Sequence, residues 1–217
     1  MRLMYKKFLI TFLIITTYSL SALAEKVIVF KFTEDEKKTL KVRKVKKETT
    51  YTIGSNENGN FLKAEAQGKA SGLGIEKKID LLKTPFINIT WKVEKDLSGI
   101  NEQSKEGHDY AARVFVIKQT GITALSKKAI NYVFSSNNPA GKYWTSPYTK
   151  KSIDYVLATT QNNINEWVTV KANVKEHFKK LHDLNVDELT GLAIMTDTDQ
   201  TDIKAISYYQ NIYFSSE

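Results

Sequence analysis

The sequence predicts an all-β chain: an antiparallel two-sheet sandwich of jelly-roll type with one short helix. Three observations carry that prediction. Short segments alternate apolar and polar side chains, the period of a strand with one buried face. Clusters of Asn, Gly, Asp and Ser punctuate them at the regular spacing of sandwiches and barrels. Only VKEHFKKLHDL, from Val174 to Leu184, carries a helical stripe, with Val174, Phe178 and Leu181 on one side.

At the N-terminus, Arg2, Lys6 and Lys7 precede an apolar run from Phe8 to Leu20, and Ala22-Leu23-Ala24 fits a small-x-small cleavage site. Residues 1–24 therefore read as a secretory signal peptide and 25–217 as a single β-sandwich domain, exported to the periplasm or beyond. The apolar run is too short to remain as a membrane span, and no later segment approaches spanning length. The chain has no cysteine, so neither a disulfide framework nor a lipid-anchored cysteine is expected. Losing the three positive charges of the signal lowers the formal net charge from +8 to +5. A surface of that balance favours anionic partners weakly, and no nucleic-acid recognition motif is present.

Taken in order, KVIVFKF (26–32) reads as a first strand. From Glu34 to Lys47, seven lysines or arginines stand among three acids, the composition of a solvated edge strand whose lysines discourage edge-to-edge pairing; a patch for anionic glycan or lipid headgroups is the other reading. TYTIGSNENGNFLKAEA is a hairpin signal with its turn between Gly54 and Asn60 and with Leu62, Ala64 and Ala66 on one face. Gly72 and Gly74 mark a bend or bulge in a strand running to Ile79. FINITWKVE sends Ile87, Ile89, Trp91 and Val93 inward. A long polar loop, Asp96 to Gly107, follows it. KAINYVFS, SIDYVLATT and NEWVTVKANV are further strands, and LTGLAIMTD and AISYYQNIYF close the chain on either side of an acidic turn. Between the first two of these, NNPAGKYWTSPY is a turn-rich loop holding Tyr143, Trp144 and Tyr148, aromatics suited to stacking on sugar rings or to plugging the end of a sandwich.

The central strand is HDYAARVFVIK, His108 to Lys118. Strict alternation places Asp109, Ala111, Arg113, Phe115 and Ile117 on one face and His108, Tyr110, Ala112, Val114 and Val116 on the other. Arg113 thus interrupts an apolar run with a charge that proteins do not neutralise, so a carboxylate must cross to it or the face must be wet. Asp109 lies about 13 Å along the strand, out of reach unless the strand bulges. MTDTDQTD, with Asp197, Asp199 and Asp202, is the densest acidic cluster and the expected donor. A structural Arg–Asp pair and an Arg facing a ligand both remain open.

Of three histidines, His177 and His182 lie about 140° apart on the predicted helix and cannot chelate one metal as a pair one turn apart would; they read as surface residues. His108 stands beside Asp109 without a nucleophile signature. The Asp197–Asp202 turn lacks the glycine and terminal glutamate of an EF-hand, yet an oxygen-rich turn of this kind can hold a structural calcium. No distinct carboxylate pair marks a glycosidase.

YAARVFV from Tyr110, AINYVFS from Ala129, AIMTDTDQT from Ala193 and ISYYQNIYF at the end, with KASGL from Lys69 and the Trp91 strand, resemble the bacterial family numbered 3047 among domains of unknown function. Through that resemblance the family's polar positions fall on Asp109, Arg113, Asn131, Asp197 and Asp199. His108 and Asn211 stand where the family usually carries acids, which the resemblance counts against a metal site. The strand order is also similar to that of carbohydrate-binding and galactose-binding jelly rolls, a likeness of fold.

The expectation is a non-catalytic exported sandwich binding a glycan or another polar envelope component through Asp109, Arg113, Asn131, Asp197 and Asp199, with Trp144 and Tyr143 as stacking groups. No catalytic residue is assigned, and no cofactor is expected beyond the structural calcium left open at the acidic turn. The alternatives are a hydrolase of cell-envelope polymer using His108 and Asp109, and a purely structural envelope protein.

Overall fold

The computed structural model describes residues 24–123 and 125–217. The signal-peptide reading rests on residues outside these. Along the described chain the elements are β1 (Lys26–Ile28), α1 (Glu34–Thr39), β2 (Lys41–Lys44), β3 (Thr50–Asn56), β4 (Gly59–Ala66), β5 (Ala70–Asp80), β6 (Phe86–Lys95), β7 (Tyr110–Gln119) and β8 (Lys127–Ser135). They continue with β9 (Tyr143–Thr145), β10 (Ser152–Thr159), α2 (Thr160–Asn163), β11 (Val168–Asn173), α3 (Val174–His182), β12 (Glu188–Asp197) and β13 (Ala205–Ser215).

Two sheets face one another. One runs β11-β6-β13-β4-β3, with β1 also paired to β13, and the other runs β2-β5-β12-β7-β8-β10-β9. The last strand lies beside the first, antiparallel, with Val27 opposite Phe214. Pairing is antiparallel except between β8 and β10, which run parallel with Asn131 opposite Asp154. A parallel pair needs a long crossover, and residues 136–151, β9 included, supply it.

The core fills the space between the sheets. From the first sheet come Leu62 and Ala64 of β4, Ile87, Ile89, Trp91 and Val93 of β6, and Tyr209 and Phe214 of β13. Val114 and Val116 of β7, Ile130, Tyr132 and Phe134 of β8, and Leu192 and Ile194 of β12 meet them. The FINITWKVE alternation holds: Ile87, Ile89, Trp91 and Val93 are all 0% exposed.

Several local expectations are corrected. The basic segment does not begin as a strand: Glu34–Thr39 is a helix, because Thr33 caps it by accepting from the Glu36 backbone N–H (3.1 Å) while the Glu36 carboxylate accepts from Lys31 and Phe32 N–H. Only β2 is the exposed basic edge. The hairpin turn tightens to Glu57 and Asn58, where Asn56 Oδ1 accepts from Asn58 N–H (2.9 Å). Gly72 and Gly74 sit in regular ladder, and the β5 bulge falls at Lys77–Lys78, where two residues face Thr190.

The helix α3 forms as expected, capped by Asn173 and ended by Asp183 in left-handed conformation (φ 49°). Its histidines are half-buried rather than surface residues. His177 Nδ1 lies 3.0 Å from the Tyr132 hydroxyl with its ring 4.4 Å from that of Tyr155, and His182 Nε2 donates to the Ala129 carbonyl (2.9 Å). Lacking full charge at neutral pH, an imidazole can join the apolar stripe of a helix where a lysine cannot.

Candidate functional site

The polar residues of the central strand gather on the outer face of the seven-stranded sheet, and a bulge puts them there. Arg113 pairs with Met195, but the next register pair toward the strand start is Tyr110 with Asp197, so Ala111 and Ala112 together face Thr196. Both alanines turn into the core and Tyr110 swings to the face of Arg113, contrary to strict alternation. The interrupted ladder leaves backbone groups without partners. Tyr209 and Thr196 answer them: the Tyr209 hydroxyl accepts from Arg113 N–H (3.2 Å) and donates to the Met195 carbonyl (2.8 Å), and Thr196 Oγ1 donates to the Ala111 carbonyl (2.8 Å). Burial pushes the Tyr209 hydroxyl up to about 12, which keeps it a donor.

Arg113 and Asp197 meet. The guanidinium Nη2 donates to Asp197 Oδ2, and its plane lies over the rings of Tyr110 (5.0 Å) and Phe115 (5.3 Å). The pair is enclosed, with Arg113 5% and Asp197 2% exposed. Burial, reinforced by the charges of Asp109 and Asp199 and opposed by Arg113, pushes the Asp197 carboxyl up.

Next to this pair a second buried group runs across β8, β10 and β9. Asn131 Nδ2 donates to Asp154 Oδ1 (2.7 Å), and His108 Nε2 donates to Asp154 Oδ2 (2.8 Å). Cross-strand register sets Asn131 opposite Phe115 and Asp154, and Asp154 opposite Trp144. His108 is boxed edge-on by Tyr110 and Tyr148, with ring centroids 5.1 and 5.3 Å away. The proposed acid–base partnership of His108 with Asp109 is thus replaced by a buried pair with Asp154. Asp109 instead caps the acidic turn, accepting from Thr201 N–H (2.8 Å), Thr201 Oγ1 (2.7 Å) and Gln200 N–H.

Five predicted residues, Asp109, Arg113, Asn131, Asp197 and Asp199, come together with Trp144 on this face. Tyr143 does not. Residues 143–145 form a short strand rather than a loop, so the two neighbouring aromatics point to opposite sides. Tyr143 stacks on Tyr155 (6.1 Å, interplanar 4°) under Lys180 of α3. Asn211 lies on the other sheet, exposed, in a β13 bulge with φ 49°, a conformation that asparagine tolerates well.

Two contributors were not singled out from the sequence. Asp154 is a lone carboxylate in the apolar run Ile153–Val156, the same signal that marked Arg113. Glu102, 1% exposed, anchors the long 96–107 loop: its carboxylate accepts from Ser135 Oγ, Ser136 N–H (2.8 Å) and Asn138 Nδ2 (2.8 Å). A lone glutamate in a polar loop carries no periodic signal that could have revealed it.

Among the described residues, six buried side-chain N or O atoms have no hydrogen-bond partner, and five of them sit in this region: Arg113 Nε, Asn131 Oδ1, Trp144 Nε1, Asp197 Oδ1 and Thr198 Oγ1. The sixth, Trp91 Nε1, is in the core between the sheets. Two surface depressions lie elsewhere, one by Thr50, Glu65 and Lys204 and another by Leu82, Pro85 and Lys179, and neither gathers comparable chemistry. Phe115, Ala193 and Met195 form the half-exposed floor between the polar groups.

Comparison with solved structures finds the family 30 carbohydrate-binding module of a cellulosomal cellulase, Cel9D-Cel44B, of Clostridium thermocellum at TM-score 0.52 and 10% identity, covering 89% of this chain and 98% of that one. A cellulase derived from Cel12A of Rhodothermus marinus matches at TM-score 0.48 and 9% identity over 89% of this chain and 100% of that one. The xyloglucanase domain of NopAA from Sinorhizobium fredii matches at TM-score 0.41 and 11% identity over 81% and 92%. At such identities the first likeness establishes the jelly-roll sandwich and nothing about activity. No curated protein matches the chain. The family described as protein of unknown function DUF3047 matches residues 35–213, nearly the whole sandwich including the bulged strand and the acidic turn, and the chain belongs to that family.

Proposed function

We propose that this protein is an exported, non-catalytic β-sandwich domain that binds a glycan on the outer face of its seven-stranded sheet. The observation that carries the reading is the concentration there of buried donors and acceptors without protein partners. Buried polar atoms are almost always paired, so a cluster of exceptions on one face calls for partners from outside the chain. Arg113 Nε and Trp144 Nε1 can only donate, whereas Asn131 Oδ1 and Asp197 Oδ1 accept. Sugar hydroxyls do both. Trp144 and Phe115, partly exposed on the same face, supply apolar surface for a ring. The fold likeness to a carbohydrate-binding module is consistent with this use of the sheet.

Glycan-array screening of residues 25–217, followed by calorimetry with the soluble hits, tests the reading. Trp144→Ala is expected to weaken binding at least about tenfold, a loss of about 1.4 kcal/mol, while the melting temperature stays within about 2 °C because the indole is only partly buried. Absence of any bound glycan, or full affinity in Trp144→Ala, refutes it. The enclosure of Arg113 favours a second reading, in which the polar residues only pin the sandwich together. In that case Arg113→Leu lowers the melting temperature and no glycan binds the wild-type protein.

A further inference from the structure

The acidic turn carries more negative charge than the protein around it neutralises. One carboxylate oxygen from each of Asp109, Asp197 and Asp199 lies within 4.8 Å of the others. Asp109 is 0% and Asp197 2% exposed, and Asp199 is half-buried. The guanidinium of Arg113 is a buried cation in contact with Asp197. Lys46, whose ammonium donates to the Asp199 carbonyl (3.0 Å), is exposed and largely screened by solvent. Tyr148, nearby, spends its hydroxyl proton on the Lys105 carbonyl (3.0 Å).

The hydrogen bonds divide each carboxylate into one oxygen used by the protein and one that is not, or scarcely. Asp109 Oδ2 takes the Thr201 backbone and hydroxyl, while Oδ1 receives only Gln200 N–H at 3.3 Å. Asp199 Oδ2 takes Gln200 Nε2 (2.9 Å). Asp197 Oδ2 takes Arg113, while Asp197 Oδ1 is buried without any partner. The hydroxyl of Thr198, between the two turn aspartates and 0% exposed, is unpartnered as well. An orphaned, almost fully buried carboxylate oxygen beside two more carboxylates is unfavourable twice over, through lost solvation and through like-charge repulsion. A cation removes both penalties.

We propose that Asp109, Asp197 and Asp199 hold a divalent cation that clips the turn between β12 and β13 to the start of β7. An all-oxygen donor set, part backbone-braced and part open to water on the Asp199 side, suits a hard cation that accepts irregular coordination, and among these calcium rather than magnesium. With all three carboxylates ionised around a bound ion, Arg113 leaves two negative charges, which one such ion balances. His108 and Asn211 lie outside this ligand set. The inference does not rest on glycan binding.

The experiment uses residues 25–217 stripped with chelator and desalted, with no glycan present. Calcium is titrated calorimetrically and by thermal unfolding, and terbium is titrated with excitation of Tyr148 and the neighbouring tyrosines. Calcium at about a hundred times its Kd is expected to raise the melting temperature by about 5–10 °C, and terbium to give sensitised emission that calcium displaces. Asp199→Asn, which keeps the Arg113–Asp197 pair, is expected to weaken both signals at least tenfold with the metal-free melting temperature unchanged. No calcium response up to about 10 mM, the weak limit of protein calcium sites extended tenfold, overturns the proposal. So does wild-type affinity in Asp199→Asn, or tighter binding of magnesium than of calcium.

Discussion

Arg113→Met, measured in chelator so that no cation compensates Asp197, tests whether the buried pair holds the central strands together. The substitution removes the charge and keeps an unbranched chain of similar reach over Tyr110 and Phe115. It leaves Asp197, 2% exposed, facing two neighbouring carboxylates with no cation beside it. Removing one partner of a buried ion pair costs about 3–5 kcal/mol, because the other charge stays desolvated. For a domain of this size that corresponds to a fall of about 6–20 °C in melting temperature. Urea unfolding is the assay, with an unchanged m-value needed to read the midpoint as stability. The double variant Arg113→Met/Asp197→Leu is expected to recover most of the loss, since two apolar groups of similar volume replace a pair whose desolvation offsets its attraction. A loss below about 1 kcal/mol in Arg113→Met would make the pair behave like a solvated surface contact, and strict additivity in the cycle would remove the coupling on which the argument stands.

Two further outcomes are expected. Tyr209→Phe removes the hydroxyl that serves Arg113 N–H, the Met195 carbonyl and Thr196 at the bulge, and should cost about 1–3 kcal/mol, with faster amide exchange localised at Arg113; protection there equal to wild type would show that the bulge needs no such brace. His177, held down to about 4 by burial and Lys180 against an ordinary 6.5, binds fewer protons folded than unfolded between those values. Its contribution to stability is therefore intact above pH 6.5 and is lost as pH falls toward 4, by about 1–2 kcal/mol once its partial exposure is discounted; His177→Gln should flatten that part of the pH profile relative to wild type, and parallel profiles would count against it.

Legibility in the sequence followed the range of the interaction. Face assignment in FINITWKVE and FLKAEA, the α3 stripe, and the demand of Arg113 for a carboxylate from the acidic turn are consequences of strand and helix periods and of a charge that must be paired, so they could be read without coordinates. Asp154, a lone charge in the apolar run Ile153–Val156, is legible by the same rule that marks Arg113. Around Tyr143 and Trp144 a turn-rich composition masks a three-residue strand, whose pairing with β10 separates the two rings.

By itself, then, the chain determined a sandwich of alternating strands and a set of polar side chains too costly to bury alone. Tertiary structure decided which of them meet. The bulge at Ala111 and Ala112 exists only in the pairing of β7 with β12 and in the hydroxyls that satisfy its backbone, and it turns Tyr110 toward Arg113 and Asp197. Pairing of His108 with Asp154 depends on β10 running parallel beside β8, and the three-carboxylate cluster on where the acidic turn lands against the start of β7. A local period specifies which way a side chain faces, but what it faces is set by strands distant in sequence, through registers that no single segment encodes.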